Sequence, residues 1–153
     1  MRVSMRVDYG VRALVDLALH AMDKPAQAGE IAARQHIPEP YLEQLMTTLH
    51  KSGLVASRRG PQGGHTLAKA PAEISLGQIV VTLEGRNAPL DCIETPTGCG
   101  VYTVCAQRDV WESVEKAFID LLEATSLELL ASTQREKEEL ALRSEGRVPR
   151  QRK

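Results

Sequence analysis

The stretch Arg58-Arg59-Gly60-Pro61-Gln62-Gly63-Gly64 constrains this chain more than any other. Glycine and proline at that density prescribe a turn, and short runs suited to β-strands, 54–57 and 65–68, flank it. The reading is a β-hairpin with a basic tip. Everything ahead of it has helical periodicity. Val11, Leu14, Val15, Ala18 and Met22 recur at helical spacing, and Pro25 ends that run. A second helical piece spans 29–35, with Ile31 and Ala32 facing inward. Pro38 and Pro40 can open a third helix, whose first turn does not need their missing N–H groups. Leu42, Leu45, Met46 and Leu49 form its inner stripe, which leaves Tyr41, Glu43, Gln44 and Thr48 outside. Gly53 is its natural stop.

Three helices followed by a basic-tipped hairpin is the order of a winged helix-turn-helix, here over residues 1–71 of a mainly α chain. In that arrangement the third helix enters the major groove of double-stranded DNA, and the wing touches the backbone or the minor groove. Residues 72–103 read as a short helix and a loop. Ser75-Leu76-Gly77-Gln78 is a capping box, and Leu76, Ile79, Val80 and Leu83 face inward behind it. Residues 85–100 are irregular. A long helix is expected to begin near Cys105, within a 104–131 segment. Val110, Trp111, Val114, Phe118, Leu121, Leu122 and Thr125 make its apolar face. That stripe is long for a lone helix on a small domain, so a second copy of the chain is expected against it. Residues 132–153 are charged and are expected to be a disordered tail.

Charge follows the same division. Residues 1–71 carry nine Lys/Arg against six Asp/Glu, while 72–134 carry three against ten. The basic head suits phosphates and the acidic middle avoids them. Tyr41, Glu43, Gln44, Thr48 and Arg59 are therefore the expected DNA readers, and Arg2, Lys51 and Arg58 the expected phosphate contacts. Glutamine reads adenine edges, and an arginine at a wing tip enters a narrow minor groove. Glu43 adds selectivity before affinity, since phosphate repels it. Arg58 and Arg59 also read as an ordinary solvated turn.

The three cysteines, Cys92, Cys99 and Cys105, are an odd number crowded into 14 residues. A disulfide framework pairs its cysteines and belongs to exported chains, whereas the N-terminus here lacks the apolar stretch of a signal peptide. No apolar run reaches membrane-spanning length, so the expected location is the cytoplasm. The cysteine cluster points to metal or redox chemistry. Thiolates suit an iron–sulfur cluster or zinc, and an unliganded thiol switch stays open beside them. His20, His36, His50 and His65 have no metal-ligand spacing and read as structural or surface groups. An enzyme reading lacks a nucleophile–base constellation, and Gly60–Gly64 lacks the lysine of a phosphate loop.

Several segments together are distinctive: Met1-Arg2-Val3-Ser4, Asp8-Tyr9-Gly10-Val11-Arg12-Ala13-Leu14, Pro40-Tyr41-Leu42-Glu43-Gln44-Leu45, Lys51-Ser52-Gly53-Leu54-Val55 and Arg59-Gly60-Pro61-Gln62-Gly63-Gly64-His65. Over about residues 1–130 the chain resembles the Rrf-type family of bacterial winged-helix regulators, with its IscR, NsrR and CymR branches. The resemblance implies a homodimer on a palindromic operator, built by the long C-terminal helix. It implies that Cys92, Cys99 and Cys105 ligate an iron–sulfur cluster, [2Fe–2S] or [4Fe–4S], which the CymR branch lacks. Control of iron–sulfur biogenesis genes is the implied role, with nitric oxide or redox sensing the alternative. Two features depart from the family pattern. The spacing is C-x6-C-x5-C where the best-known members have C-x5-C-x5-C, and Arg108 occupies the position of the IscR-type histidine ligand. Some NsrR-type members use an N-terminal aspartate of the partner subunit, and Asp8 stands at that place; its other reading is an exposed charge or cap.

Overall fold

The computed structural model describes residues 3–21, 24–85 and 90–145. Helix α1 (Met5–His20) begins one residue after Ser4, whose hydroxyl accepts from the Val7 N–H. This cap starts α1 two turns earlier than the apolar periodicity implies, and Met22 lies outside the described residues. Helix α2 (Ala28–Gln35) ends on His36 in the left-handed conformation, and α3 (Glu39–Lys51) opens with Pro38 as its cap and Pro40 in its first turn. Strands β1 (Val55–Arg58) and β2 (Gly64–Leu67) pair antiparallel, from Val55 opposite Leu67 to Arg58 opposite Gly64.

The hairpin is not free of the helices. Ala26 and His65 exchange both backbone hydrogen bonds, at 3.0 and 2.8 Å, so the chain ahead of α2 forms a third rung beside β2. Gly64 permits that approach: its φ is +149°, and a Cβ there would lie 2.6 Å from the Ala26 carbonyl oxygen. The basic-tipped wing is thereby docked on the same body as the helices it follows.

Helix α4 (Leu76–Glu84) carries the expected capping box at Ser75 and Gln78. It lies tightly on α1, where a Cβ on Gly10 would run into the Leu83 side chain. The expected irregular stretch contains a one-turn helix, α5 (Asp91–Glu94), and 3-10 turns at Pro96–Gly98 and Tyr102–Val104. Helix α6 (Arg108–Ala124) is the long helix expected near Cys105.

The tail requires correction. Residues 132–145 are not disordered but continue α7 (Leu127–Glu145), while 146–153 lie outside the described residues. Leu127 and Ala131 are buried and Leu130 partly so, an i, i+3, i+4 stripe packed into the core beside α1. The Leu127 N–H donates to the Ile74 carbonyl at 2.8 Å, which fixes where α7 begins. Beyond that anchor the Glu, Lys, Arg, Ala and Leu residues are strong helix formers, so charge there reflects a solvated helix.

One core joins these elements. Leu14, Leu17, Ile31, Leu42, Met46, Leu49, Ile74, Ile79 and Leu127 are all fully enclosed in it. Among the described residues a single charged side chain is buried with them. Asp16 on α1 accepts two hydrogen bonds from the Arg34 guanidinium, at 2.7 and 2.9 Å, and a third from the Gln35 amide at 3.1 Å. Arg34 itself remains 36% exposed. The two partners are therefore unequal. Arg34→Met leaves the buried carboxylate with the Gln35 amide alone, and an expected loss of about 3–5 kcal/mol follows. Asp16→Asn keeps the shape and strands only a half-solvated cation, so about 1–2 kcal/mol is expected. Urea unfolding of both variants measures this, and equal losses would refute the asymmetry.

Candidate nucleic-acid interface and cysteine loop

The third helix presents the face its inner stripe dictates. Leu42, Leu45, Met46 and Leu49 are buried, Tyr41, Glu43, Gln44 and Lys51 are exposed, and Thr48 is half-buried. The Tyr41 ring meets the edge of Tyr9 at 5.7 Å, and Arg12 lies over the Tyr9 ring at 5.4 Å, so α1 holds the start of α3. Arg12 also donates to the Gln35 carbonyl and pairs with Asp8 at 3.4 Å.

Arg6 was not singled out from sequence. It lines a shallow groove with Tyr41, Gln44, Leu45 and Thr48, and its guanidinium donates to the Thr48 hydroxyl at 3.4 Å. With α1 read from Val11 onward, Arg6 had no helix face to belong to. Ser4 as a cap was the available signal. Arg2 lies outside the described residues.

On the wing, Arg58 ends β1 and Arg59 starts the turn closed by the Gly63 N–H to the Gly60 carbonyl at 2.9 Å. Both are exposed, and among the described residues no ion pair engages Arg58, Arg59 or Lys51. Two histidines that look scattered in sequence meet at the wing base. His50 Nδ1 lies 3.0 Å from the Val55 carbonyl, which only accepts, so that nitrogen carries hydrogen. His65 Nδ1 lies 2.9 Å from the Ser57 hydroxyl. Burial pushes the His65 pKa below its ordinary value, His50 adds to this, and Glu43 partly offsets it.

The cysteines occupy the segment leading into α6. Cys92 is on α5, Cys99 follows the Pro96–Gly98 turn, and Cys105 follows the Tyr102–Val104 turn. All three are free thiols, each half-buried. Unpaired soft donors on a loop suit an iron–sulfur cluster. Among the described residues, however, no three His, Cys, Asp or Glu side chains converge to hold a metal ion. Asp8 is exposed on the first turn of α1.

Arg108, at the first position of α6, is engaged elsewhere. It lies over the Tyr102 ring at 4.7 Å and donates to the Tyr102 carbonyl at 2.9 Å. It also pairs with Asp109 at 2.7 Å and Glu112 at 3.4 Å, and the Asp109 hydrogen bond is the chief cause raising its pKa. Along α6 no residue is fully buried. Val110 is 62% and Leu121 67% exposed, with Trp111 and Val114 also open.

A family model described as Rrf2, iron-dependent transcriptional regulator, matches residues 3–133. Protein rrf2 of Nitratidesulfovibrio vulgaris is 36% identical over 127 residues, 83% of this chain and 85% of that protein. The HTH-type transcriptional regulator IscR of Aliivibrio salmonicida is 35% identical over 83% of this chain and 75% of its own length. Among solved structures, CymR, the global cysteine regulator of B. subtilis, aligns with a TM-score of 0.75 at 33% identity, covering 87% of this chain and 98% of CymR. T. potens IscR aligns with a TM-score of 0.72 at 36% identity, covering 90% of each chain. No helix among the described residues is long and apolar enough to cross a membrane.

The depressed His65 pKa carries a sign. A fold that prefers neutral histidine holds that stability above the unfolded pKa and loses it as pH falls through the folded one. Between about pH 7.5 and pH 5.5 the unfolding midpoint of the wild type is expected to drop more than that of His65→Gln. Parallel drops in thermal unfolding would show that His65 contributes nothing.

Proposed function

This chain belongs to the Rrf2 family of transcriptional regulators, and from that premise we propose a homodimer on a palindromic operator whose affinity is set by an iron–sulfur cluster on Cys92, Cys99 and Cys105. One observation carries the reading. Three free, half-buried thiols sit on the segment that runs directly into α6, a helix whose apolar face is left open. A second copy of the chain covers that face, since exposed apolar area of this extent favours association.

When bound, the cluster supplies an iron- and redox-responsive link among the three thiolates. The chain's own residues do the rest. Cys105 ends the turn before α6, so a constraint on its sulfur acts on the helix start. Asp8 of the partner subunit is the fourth ligand we assign, an oxygen donor in place of the histidine that Arg108 replaces. Tyr41, Glu43, Gln44 and Thr48 read base edges, and Arg59 enters the minor groove. Arg2, Lys51 and Arg58 hold phosphates, with Arg6 beside Thr48 joining them. The genes controlled are those of iron–sulfur biogenesis, and the regulator works in the cytoplasm, where its DNA is. No enzymatic step is involved.

A second reading, a redox or nitric oxide sensor or a zinc or thiol switch, draws on the three thiols standing apart and on the likeness to CymR. Iron, sulfide and zinc content of anaerobically purified protein separates the cluster-bearing readings from the zinc or thiol switch. Iron and sulfide in comparable amounts are expected, with Cys→Ala at 92, 99 or 105 abolishing retention while the dimer persists in gel filtration. Retention by all three variants, or zinc alone in the wild type, would overturn the cluster assignment.

Operator binding supplies an independent check. Lys51→Ala is expected to weaken binding evenly across sequences and to reduce the salt slope by about one. Gln44→Ala is expected to cost about 1–3 kcal/mol on the operator and to relax preference at one base pair. Titrations at several salt concentrations measure both, and a sequence-independent loss for Gln44→Ala would remove it from the readers.

A further inference from the structure

The join between the cysteine loop and α6 is built more strongly than chain continuity requires. Arg108 makes three kinds of contact there at once. Its guanidinium faces the Tyr102 ring at 4.7 Å, donates to the Tyr102 carbonyl at 2.9 Å, and lies 3.4 Å from Glu112 one turn along α6. The Tyr102 hydroxyl closes the circuit by donating to the same Glu112 carboxylate at 3.4 Å. Ring, carbonyl, guanidinium and carboxylate thus bind the Tyr102–Val104 turn to the first two turns of α6. Cys105 lies between those elements, and its carbonyl accepts from the Arg108 N–H at 3.3 Å. By contrast, Cys92 on α5 and Cys99 just after the Pro96–Gly98 turn lie upstream of this clamp.

We propose that Arg108 is a positioning residue that locks Cys105 to α6 through Tyr102 and Glu112, making the third thiol and the helix one rigid unit. This rests on the cysteine loop being the sensing element. Without the clamp, a pull on the Cys105 sulfur would be absorbed by the loop. With it, the pull is delivered to α6. Lysine cannot replace arginine here, because the site uses a flat cation over a ring and two separate N–H directions.

The test uses the full-length, cluster-free protein and iodoacetamide, with the alkylation rate of each cysteine read by peptide mass spectrometry. In Arg108→Ala the Cys105 rate is expected to rise about fivefold, the upper end of what losing one exposed cation–π contact permits. Cys92 and Cys99 should keep their wild-type rates. Arg108→Lys and Tyr102→Leu are expected to behave like Arg108→Ala. The direction matters, since loss of a nearby positive charge alone raises a thiol pKa and slows alkylation. An unchanged or slower Cys105, full protection in Arg108→Lys, or an equal rise at all three cysteines would overturn the clamp. Because no metal enters the assay, its failure is distinct from failure of the cluster assignment, which metal and sulfide analysis of the wild type decides.

Discussion

The buried carboxylate of Asp16 is the constraint from which the DNA-binding head is built. Burying a charge is unfavourable unless its hydrogen bonds are completed, and here three donors, all from the last turn of α2, complete them. Apolar packing alone lets two helices slide, whereas a bidentate pair has one geometry. The last turn of α2 is thereby placed on α1 in one register. His36 then turns the chain in the left-handed conformation, and Pro38 and Pro40 start α3 at once. A short turn leaves α3 little freedom, so the position of the helix assigned to the major groove is inherited from Asp16.

The wing is placed by a second, independent route. Ala26 pairs with His65, and His50 at the end of α3 reaches the Val55 carbonyl at the start of β1. Helix and wing are thus tied at both edges of the hairpin base. The two surfaces proposed to meet one DNA duplex are held at one relative offset. The tip beyond Arg58 is closed on itself by the Gly63 N–H to the Gly60 carbonyl.

Much of this was legible from residue order. The three helices, the hairpin and the capping box at Ser75 follow from apolar spacing, proline, glycine and a Ser–Gln pair, all of them local signals. The buried stripe of α3 was legible for the same reason, and with it the exposed face. What escaped has long-range causes. Asp16 looks like any polar residue in a helix, because its partners lie 18 and 19 residues on. The stretch 132–145 looked disordered because its charge was weighed without Leu127, Leu130 and Ala131, which anchor it beside Ile74 and against α1, over 100 residues earlier in the chain. Arg6 was missed because the start of α1 was set by apolar period instead of by its Ser4 cap. The cysteines stand out by number and crowding, whereas the three one-turn elements among which they lie leave no periodic signal in the sequence.

The packing between the loop and the DNA-binding head has little slack at either step. Helix α6 spans roughly 25 Å at the ordinary rise per residue. Its far part meets α4 where Gly77 faces Glu123, with space so limited that a Cβ would come within 3.1 Å of that side chain. At its other face α4 meets α1 through Leu83 against Gly10, where a Cβ would force the Leu83 side chain to move. Helix α4 therefore stands between α6 and the part of α1 that carries Arg6 and Tyr9, the residues that touch Thr48 and Tyr41 on α3. Glycine at positions 10 and 77 thus serves packing: it lets α4 lie close against α1 on one face and against α6 on the other.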